Sequence, residues 1–249
     1  MGGLMNREAT VVIGMGEIGS ALADVLANEY DVWVKDVDEA WTPWFWSEGR
    51  RSEKCPPLGC RVLHICFPYS STFVHDTCAY IDAVKPEVTV IHSTVPVGTS
   101  RRCGAIHSPV IGRHPRLEES IRIFTKFLGG ERASLVADHF RRCGINVYIT
   151  DKQETTELAK ILCTTTLGVL VEMAKETKRQ FDKAGTPYDF WPIWTKEYNE
   201  GYARLGMPYV QRPSLVPIMT KTGGHCVREN AELLDSWMAQ IVREKNGGL

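Results

Sequence analysis

Apolar residues along the chain alternate between two patterns. Ala9-Thr10-Val11-Val12-Ile13 is short, apolar and β-branched, the pattern of a strand covered on both faces. From Ile18 to Asn28 the apolar positions Ile18, Ala21, Leu22, Val25 and Leu26 fall at helical spacing. The same reading predicts strands at 31–34, 62–67, 88–92, 125–128 and 146–150, with helices over 71–84 and 131–143. Strands alternating with helices imply crossovers, so residues 1–150 are expected to form an α/β domain with a doubly wound parallel sheet of Rossmann type. Residues 151–249 differ. No proline interrupts 151–184, and Gly168 is its one glycine. Asp151 and Glu154 are spaced as a capping box, and Gly185 follows at the C′ position. The spacing predicts one helix roughly 45 Å long. Further helices are expected over 188–206 and 229–244, completing a smaller all-helical lobe for substrate binding or dimerisation.

Between the first strand and helix lies Gly14-Met15-Gly16-Glu17-Ile18-Gly19, and the second strand ends on Lys35-Asp36. Strand, glycine turn, helix, strand and terminal acid together make a dinucleotide-binding fingerprint. The glycines serve a tight turn, close approach to a pyrophosphate and helix-on-strand packing. Amides at the helix N-terminus face the phosphates. A carboxylate at Asp36 accepts from ribose hydroxyls and repels a 2′-phosphate, so NAD is expected over NADP, although Lys35, Arg50 and Arg51 are nearby cations. The aromatic run Trp41-Thr42-Pro43-Trp44-Phe45-Trp46 is expected to pack over the sheet edge.

Charge narrows the possible partners. Lys plus Arg number 29 and Asp plus Glu 30, so no global field favours nucleic acid or an anionic membrane. No apolar run reaches spanning length and the first residues lack a secretory core, which points to the cytoplasm. The eight cysteines include no CxxC pair and read as reduced thiols. Cys55, Cys60 and His64 are close in sequence without a fourth ligand, so no metal is expected. The long helix is expected to pair two copies into a homodimer.

Three further segments carry a resemblance. His92-Ser93-Thr94-Val95-Pro96-Val97-Gly98-Thr99, Glu157-Leu158-Ala159-Lys160 and Gly223-Gly224-His225-Cys226-Val227 resemble, in order, the "STVPxGT", "E-L/M-x-K" and "GGxC" segments of UDP-glucose/GDP-mannose-type dehydrogenases. The resemblance implies a cofactor site that includes Phe67 and Thr94, a nucleophile at Cys226 and a cationic partner at Lys160. It also implies oxidation of an alcohol on a nucleotide sugar through a thiohemiacetal and a thioester, with covalent catalysis dividing a hard conversion into easier steps.

The chain also departs from the pattern. Thr164 stands where that family has asparagine, Asn230 where it has an acid, and Ser108-Pro109-Val110 where it has "PEF". The sequence ends where relatives continue into a sugar-nucleotide domain, as in a truncated member. His114 in Gly112-Arg113-His114-Pro115 is similar to the "HP" turn of prephenate dehydrogenases, and with Thr164, Gly223, Gly224, His225 and Asn230 it completes the candidate small-molecule substrate residues. Two alternatives stand beside a Cys/Lys oxidoreductase. One is a single-hydride β-hydroxyacid- or prephenate-like dehydrogenase; the other is an inactive NAD-binding regulatory protein.

Overall fold

The computed structural model describes residues 7–36, 44–45, 50–51, 59–219 and 225–247, with backbone alone at 44–45, 50–51, 225–226 and 246–247. The chain forms two compact units, Met1–Lys160 and Ile161–Leu249.

Among the described residues the first unit is built on a nine-stranded sheet. Its elements in order are β1 (Ala9–Ile13), α1 (Glu17–Leu26), β2 (Asp31–Lys35), β3 (Trp44–Phe45), β4 (Arg50–Arg51), β5 (Val62–Ile65), α2 (Phe73–Val84), β6 (Val88–Ile91), α3 (Thr99–Arg102), β7 (Ile106–His107), α4 (Leu117–Ile123), β8 (Lys126–Gly129), α5 (Ser134–Arg142) and β9 (Val147–Thr150). Spatially the strands run β4-β3-β2-β1-β5-β6-β7-β8-β9. The central five are parallel, as expected of a doubly wound fold. The edges are not. β3 and β4 form an antiparallel ribbon on β2, so Trp44-Phe45 extends the sheet edge by backbone pairing. At the other edge β8 runs antiparallel to β7 and parallel to β9.

Alternation sorts the core into two layers. Val11, Ile13, Leu63, Ile65 and Ile91 pack with Phe73 and Val84 on one face. Val12, Val32, Val34, Val62 and Val90 pack with Leu22, Val136 and Phe140 on the other. The central strands β1, β5 and β6 are therefore apolar at most positions, because both of their faces meet helices, with Thr10, His64 and Thr89 as buried polar exceptions.

The long helix α6 spans Gln153–Lys183. The expected Asp151 capping box does not form: Asp151 is exposed and outside the helix, and Glu154 is drawn into an ion pair with Arg101, 2.6 Å apart. The C-terminus behaves as read. Gly185 has φ 65, and Thr186 N–H donates to Phe181 O at 3.1 Å while Gly185 N–H donates to Asp182 O, a Schellman closure.

In the second unit α7 (Phe190–Arg204), α8 (His225–Ala231) and α9 (Trp237–Gly247) follow. Gly168 has a packing reason, since a Cβ there would lie 2.7 Å from Val242 and 2.8 Å from Val227. The absent side chain lets α8 and α9 seat Val227, Ala231, Ala239 and Val242. The single helix expected over 229–244 is instead two. The break at Glu232–Ser236 resets the phase, burying Ala239 and leaving Trp237 exposed.

Candidate dinucleotide and catalytic site

The order β2-β1-β5 reverses direction at β1, where the first connection leaves on one side and the later strands build on the other. Ligands of open α/β sheets bind outside strand carboxyl ends at such a switch point. The glycine turn lies there. Gly14 has φ 91, and a Cβ on it would meet Phe67 N at 2.6 Å. A Cβ on Gly19 would lie 1.8 Å from Gly14 O, so α1 can begin hard against the turn only without a side chain there. Gly16 differs: among the described residues nothing lies within 4 Å of its would-be Cβ.

Gly14, Met15, Gly16, Glu17, Ile18, Asp36, Cys66, Phe67 and Pro68 line an open concavity of about 390 Å³. Among the described residues no side chain caps α1, so its first amides remain directed at this space. Asp36 closes the far wall, its Oδ2 accepting from Met15 N–H at 3.1 Å. An uncapped helix start, a glycine with room before it and a carboxylate at the second strand's end fit a dinucleotide's pyrophosphate and ribose.

Phe67 is buried between Phe73 and Tyr80, and its carbonyl accepts from Ser93 Oγ at 2.5 Å. That bond fixes the loop carrying Thr94, which is half-buried just beyond β6. The sequence reading missed the role of Glu157. Its fully buried carboxylate accepts from Gly98 N–H at 2.6 Å and Ser100 N–H at 2.8 Å, tying the start of α6 to the Thr94 loop. Charge-assisted bonds of this kind contribute about 1.5–3 kcal/mol each. Lys160, one turn later, is half-buried and donates from Nζ to Val110 O at 2.8 Å. His114 reaches the glycine turn, with Nδ1 3.7 Å from Glu17 Oε1.

In the second unit Asn230 Nδ2 donates to Thr164 Oγ1 at 3.0 Å, so the two residues that depart from the resembled pattern partner each other. Cys226 and His225 occupy the first turn of α8, and their side chains lie outside the described residues. Gly223 and Gly224 also lie outside them.

Beneath the sheet's α5 face lies a polar row that the sequence did not suggest. His64 sits in register between Val12 and Val90. Its Nδ1 is 2.9 Å from His92 Nε2, and its Nε2 is 3.2 Å from His139 Nε2. His92 Nδ1 lies 2.8 Å from Ser108 O and 3.0 Å from Lys126 Nζ. Burial holds His64 and His92 well below the usual imidazole range and pushes His139 down to about 3. His107, buried beside Thr156 Oγ1 and Ser93 O, is likewise pushed to about 3. Burial also lowers Lys126 to about 7, and the Lys160 charge adds to the shift.

No family model matches the chain, and no curated protein sequence does either. Solved structures do match. UDP-D-ManNAc dehydrogenase from Pyrococcus horikoshii superposes with a TM-score of 0.72 at 19% identity, over 96% of this chain and 68% of that one. UDP-glucose dehydrogenase from Pyrobaculum islandicum gives 0.69 at 15% identity, over 99% and 69%. The Mycobacterium tuberculosis 3-hydroxyisobutyrate dehydrogenase gives 0.68 at 13% identity, over 96% and 92%. The chain shares their fold. The resemblance drawn from three short motifs and the superposition thus agree on architecture. No described helix is long and apolar enough to cross a membrane, and among the described residues no cluster of His, Cys, Asp or Glu could hold a metal.

Proposed function

We propose that the protein is an NAD-dependent oxidoreductase that oxidises an alcohol, on a sugar or nucleotide-sugar derivative, with Lys160 and Cys226 as its catalytic residues. The observation that carries the reading is the glycine turn at the switch point, with Gly19 against Gly14 O, open space before Gly16 and Asp36 on the far wall. When bound, a nicotinamide dinucleotide supplies the hydride acceptor. The chain's own residues do the rest. Amides of Glu17 and Ile18 and the room at Gly16 take the pyrophosphate, and Asp36 takes the adenosine ribose. Thr94 and Phe67 border the cofactor at the ends of β6 and β5. Lys160 steadies negative charge on the reacting oxygen. Cys226, as thiolate, attacks the aldehyde carbon in a four-electron route. The fold shared with two UDP-sugar dehydrogenases supports this assignment.

A single-hydride reading has its own support. The match to 3-hydroxyisobutyrate dehydrogenase covers 92% of that chain, and the Asn230–Thr164 pair holds no acid for hydrolysis. In that case Lys160 does the proton work and Cys226 is incidental. The remaining proposals are a cytoplasmic location and a homodimer formed through α6, which leaves Leu158, Leu167 and Met173 exposed.

The deciding experiment measures NAD binding by calorimetry and then counts NADH formed per alcohol consumed over a panel of sugars, nucleotide sugars and hydroxyacids. Two NADH, with Cys226→Ser abolishing the second, is the expected result. One NADH with an active Cys226→Ser establishes the single-hydride route. Binding without turnover across the panel overturns the enzyme reading.

A further inference from the structure

Three successive carbonyls, at Ser108, Pro109 and Val110, rest on two ammonium groups. Lys126 Nζ donates to Ser108 O at 2.9 Å and to Pro109 O at 3.4 Å. Lys160 Nζ donates to Val110 O. Lys126 is buried, and no carboxylate among the described residues pairs with it. What it has instead is the histidine row. We propose that Lys126 is a positioning residue for Lys160: it gains and loses its proton along His92, His64 and His139, and so tightens or relaxes the Ser108–Val110 strap on which Lys160 rests. The importance given to Lys160 depends on the oxidoreductase reading; the coupling itself does not.

Hydrogen-bond counting gives the row two settings, one satisfied throughout and one that leaves a single buried N–H, at His139 Nδ1, without an acceptor among the described residues. With Lys126 neutral, His92 Nδ1–H donates to Ser108 O, His64 Nδ1–H to His92 Nε2, and His139 Nε2–H to His64 Nε2. His139 Nδ1 then carries only a lone pair, which agrees with its having no hydrogen-bond partner among the described residues. With Lys126 charged, Nζ donates to Ser108 O, Pro109 O and His92 Nδ1. His92 and His64 must then hold their protons on Nε2, and His139 on Nδ1. The settings interconvert by uptake of one proton at His139 Nδ1, a buried atom that solvent reaches when the α5 end of the row opens. Its Nε2 proton passes to His64 Nε2, the His64 Nδ1 proton to His92 Nε2, and the His92 Nδ1 proton to Lys126 Nζ. Each N–H bond broken is matched by one formed, and the net change is one charge on Lys126.

The surroundings favour lysine as the charged member. Cys66 is pushed up to about 12 by burial and stays a neutral thiol. His107, at about 3, is neutral as well. The Arg61 and Arg142 charges act on the His139 end and oppose a resident imidazolium there. Lys126 Nζ also lies 5.6 Å from the Phe140 ring centroid, where a cation is attracted to the π-face. Burial lowers the Lys126 titration to about 7, and the Lys160 charge opposes its protonation in the same sense.

The test is an NMR titration of the full chain, free of cofactor and substrate, over about pH 6 to 9. Side-chain ¹⁵N shifts report each histidine tautomer, and the ¹³C carbonyl shift of Val110 reports the strap. The expected result is a joint switch of His92 and His64 from the Nδ1–H to the Nε2–H form as pH falls. His139 switches in the opposite sense, and Val110 moves with the same midpoint. In Lys126→Met the switch and the Val110 movement are both lost. Constant tautomers, or three separate midpoints, overturn the proton path, and a flat Val110 shift overturns the positioning role. The wild-type titration decides both even if Lys126→Met does not fold. A protein silent on every alcohol refutes the oxidoreductase reading and leaves this one untouched.

Discussion

Asp36 accepts from Met15 N–H and faces the concavity beside the glycine turn. Removing its carboxylate withdraws the acceptor offered to a ribose and the charge that repels a 2′-phosphate. Asp36→Ala is therefore expected to weaken NAD binding by about 1–2 kcal/mol and to narrow the preference over NADP, as read by calorimetry with both dinucleotides. An unchanged preference removes Asp36 from the account. Gly14, Gly19 and Asp36 were legible because each task is local: a turn, a close helix start and a strand end within one βαβ unit. Lys126 and the three histidines were not. Each sits in or beside an apolar run (Val62-Leu63-His64-Ile65, Val90-Ile91-His92), and they meet only when β5, β6, β8 and α5 come together. Glu157 belongs to a recognisable motif, yet its partners at Gly98 and Ser100 are set by the tertiary fold.

At the scale of elements, the buried neutral imidazoles make the sheet acid-sensitive on both faces, His139 on the α5 face and His107 on the other, in register with Ile91. Unfolded histidine titrates near 6.5, whereas folded His107 and His139 titrate at about 3. Between those values the unfolded chain binds protons that the folded one refuses. Their stabilisation is full above 6.5 and is lost as pH falls toward 3, roughly 2 kcal/mol for each by pH 5. Lys126 acts in the same sense at higher pH, since its folded value of about 7 lies below that of unfolded lysine. The urea midpoint is expected to rise steadily from pH 5 to pH 8, and a midpoint flat over that range contradicts the buried neutral row. Long periodic elements such as α1, α2 and α6 were readable from spacing. The short α3, α4 and β7 were not, because four- to seven-residue or two-residue elements are held by neighbours rather than by their own pattern. The break between α8 and α9 was hidden for a similar reason: apolar residues continue across the turn, and only the packing on Gly168 sets the new phase.

At the scale of the molecule, α6 leaves Leu158, Leu167 and Met173 in solvent. Self-association through this helix would cover them, so sedimentation at micromolar concentration is expected to give a dimer, with Leu167→Glu shifting it toward monomer. A monomer at the outset refutes the proposal. The architecture was readable because the alternation of strand and helix repeats over the first unit and ends where the long helix begins. The substrate was not, since the segment that resembles a catalytic turn offers a proposed nucleophile and says nothing of the molecule it would meet.

The three glycines of the nucleotide turn are not equivalent, and the difference is useful. Two are locked by backbone neighbours, but the middle one has φ −69 and, among the described residues, nothing around its would-be Cβ. A methyl group on Gly16 therefore leaves the protein's architecture alone and intrudes only on whatever is bound there. Gly16→Ala is expected to keep the wild-type melting temperature while losing about tenfold or more in dinucleotide affinity. Such a ligand-blind but intact variant is the reference against which any turnover, or any change on adding cofactor, can be judged genuine.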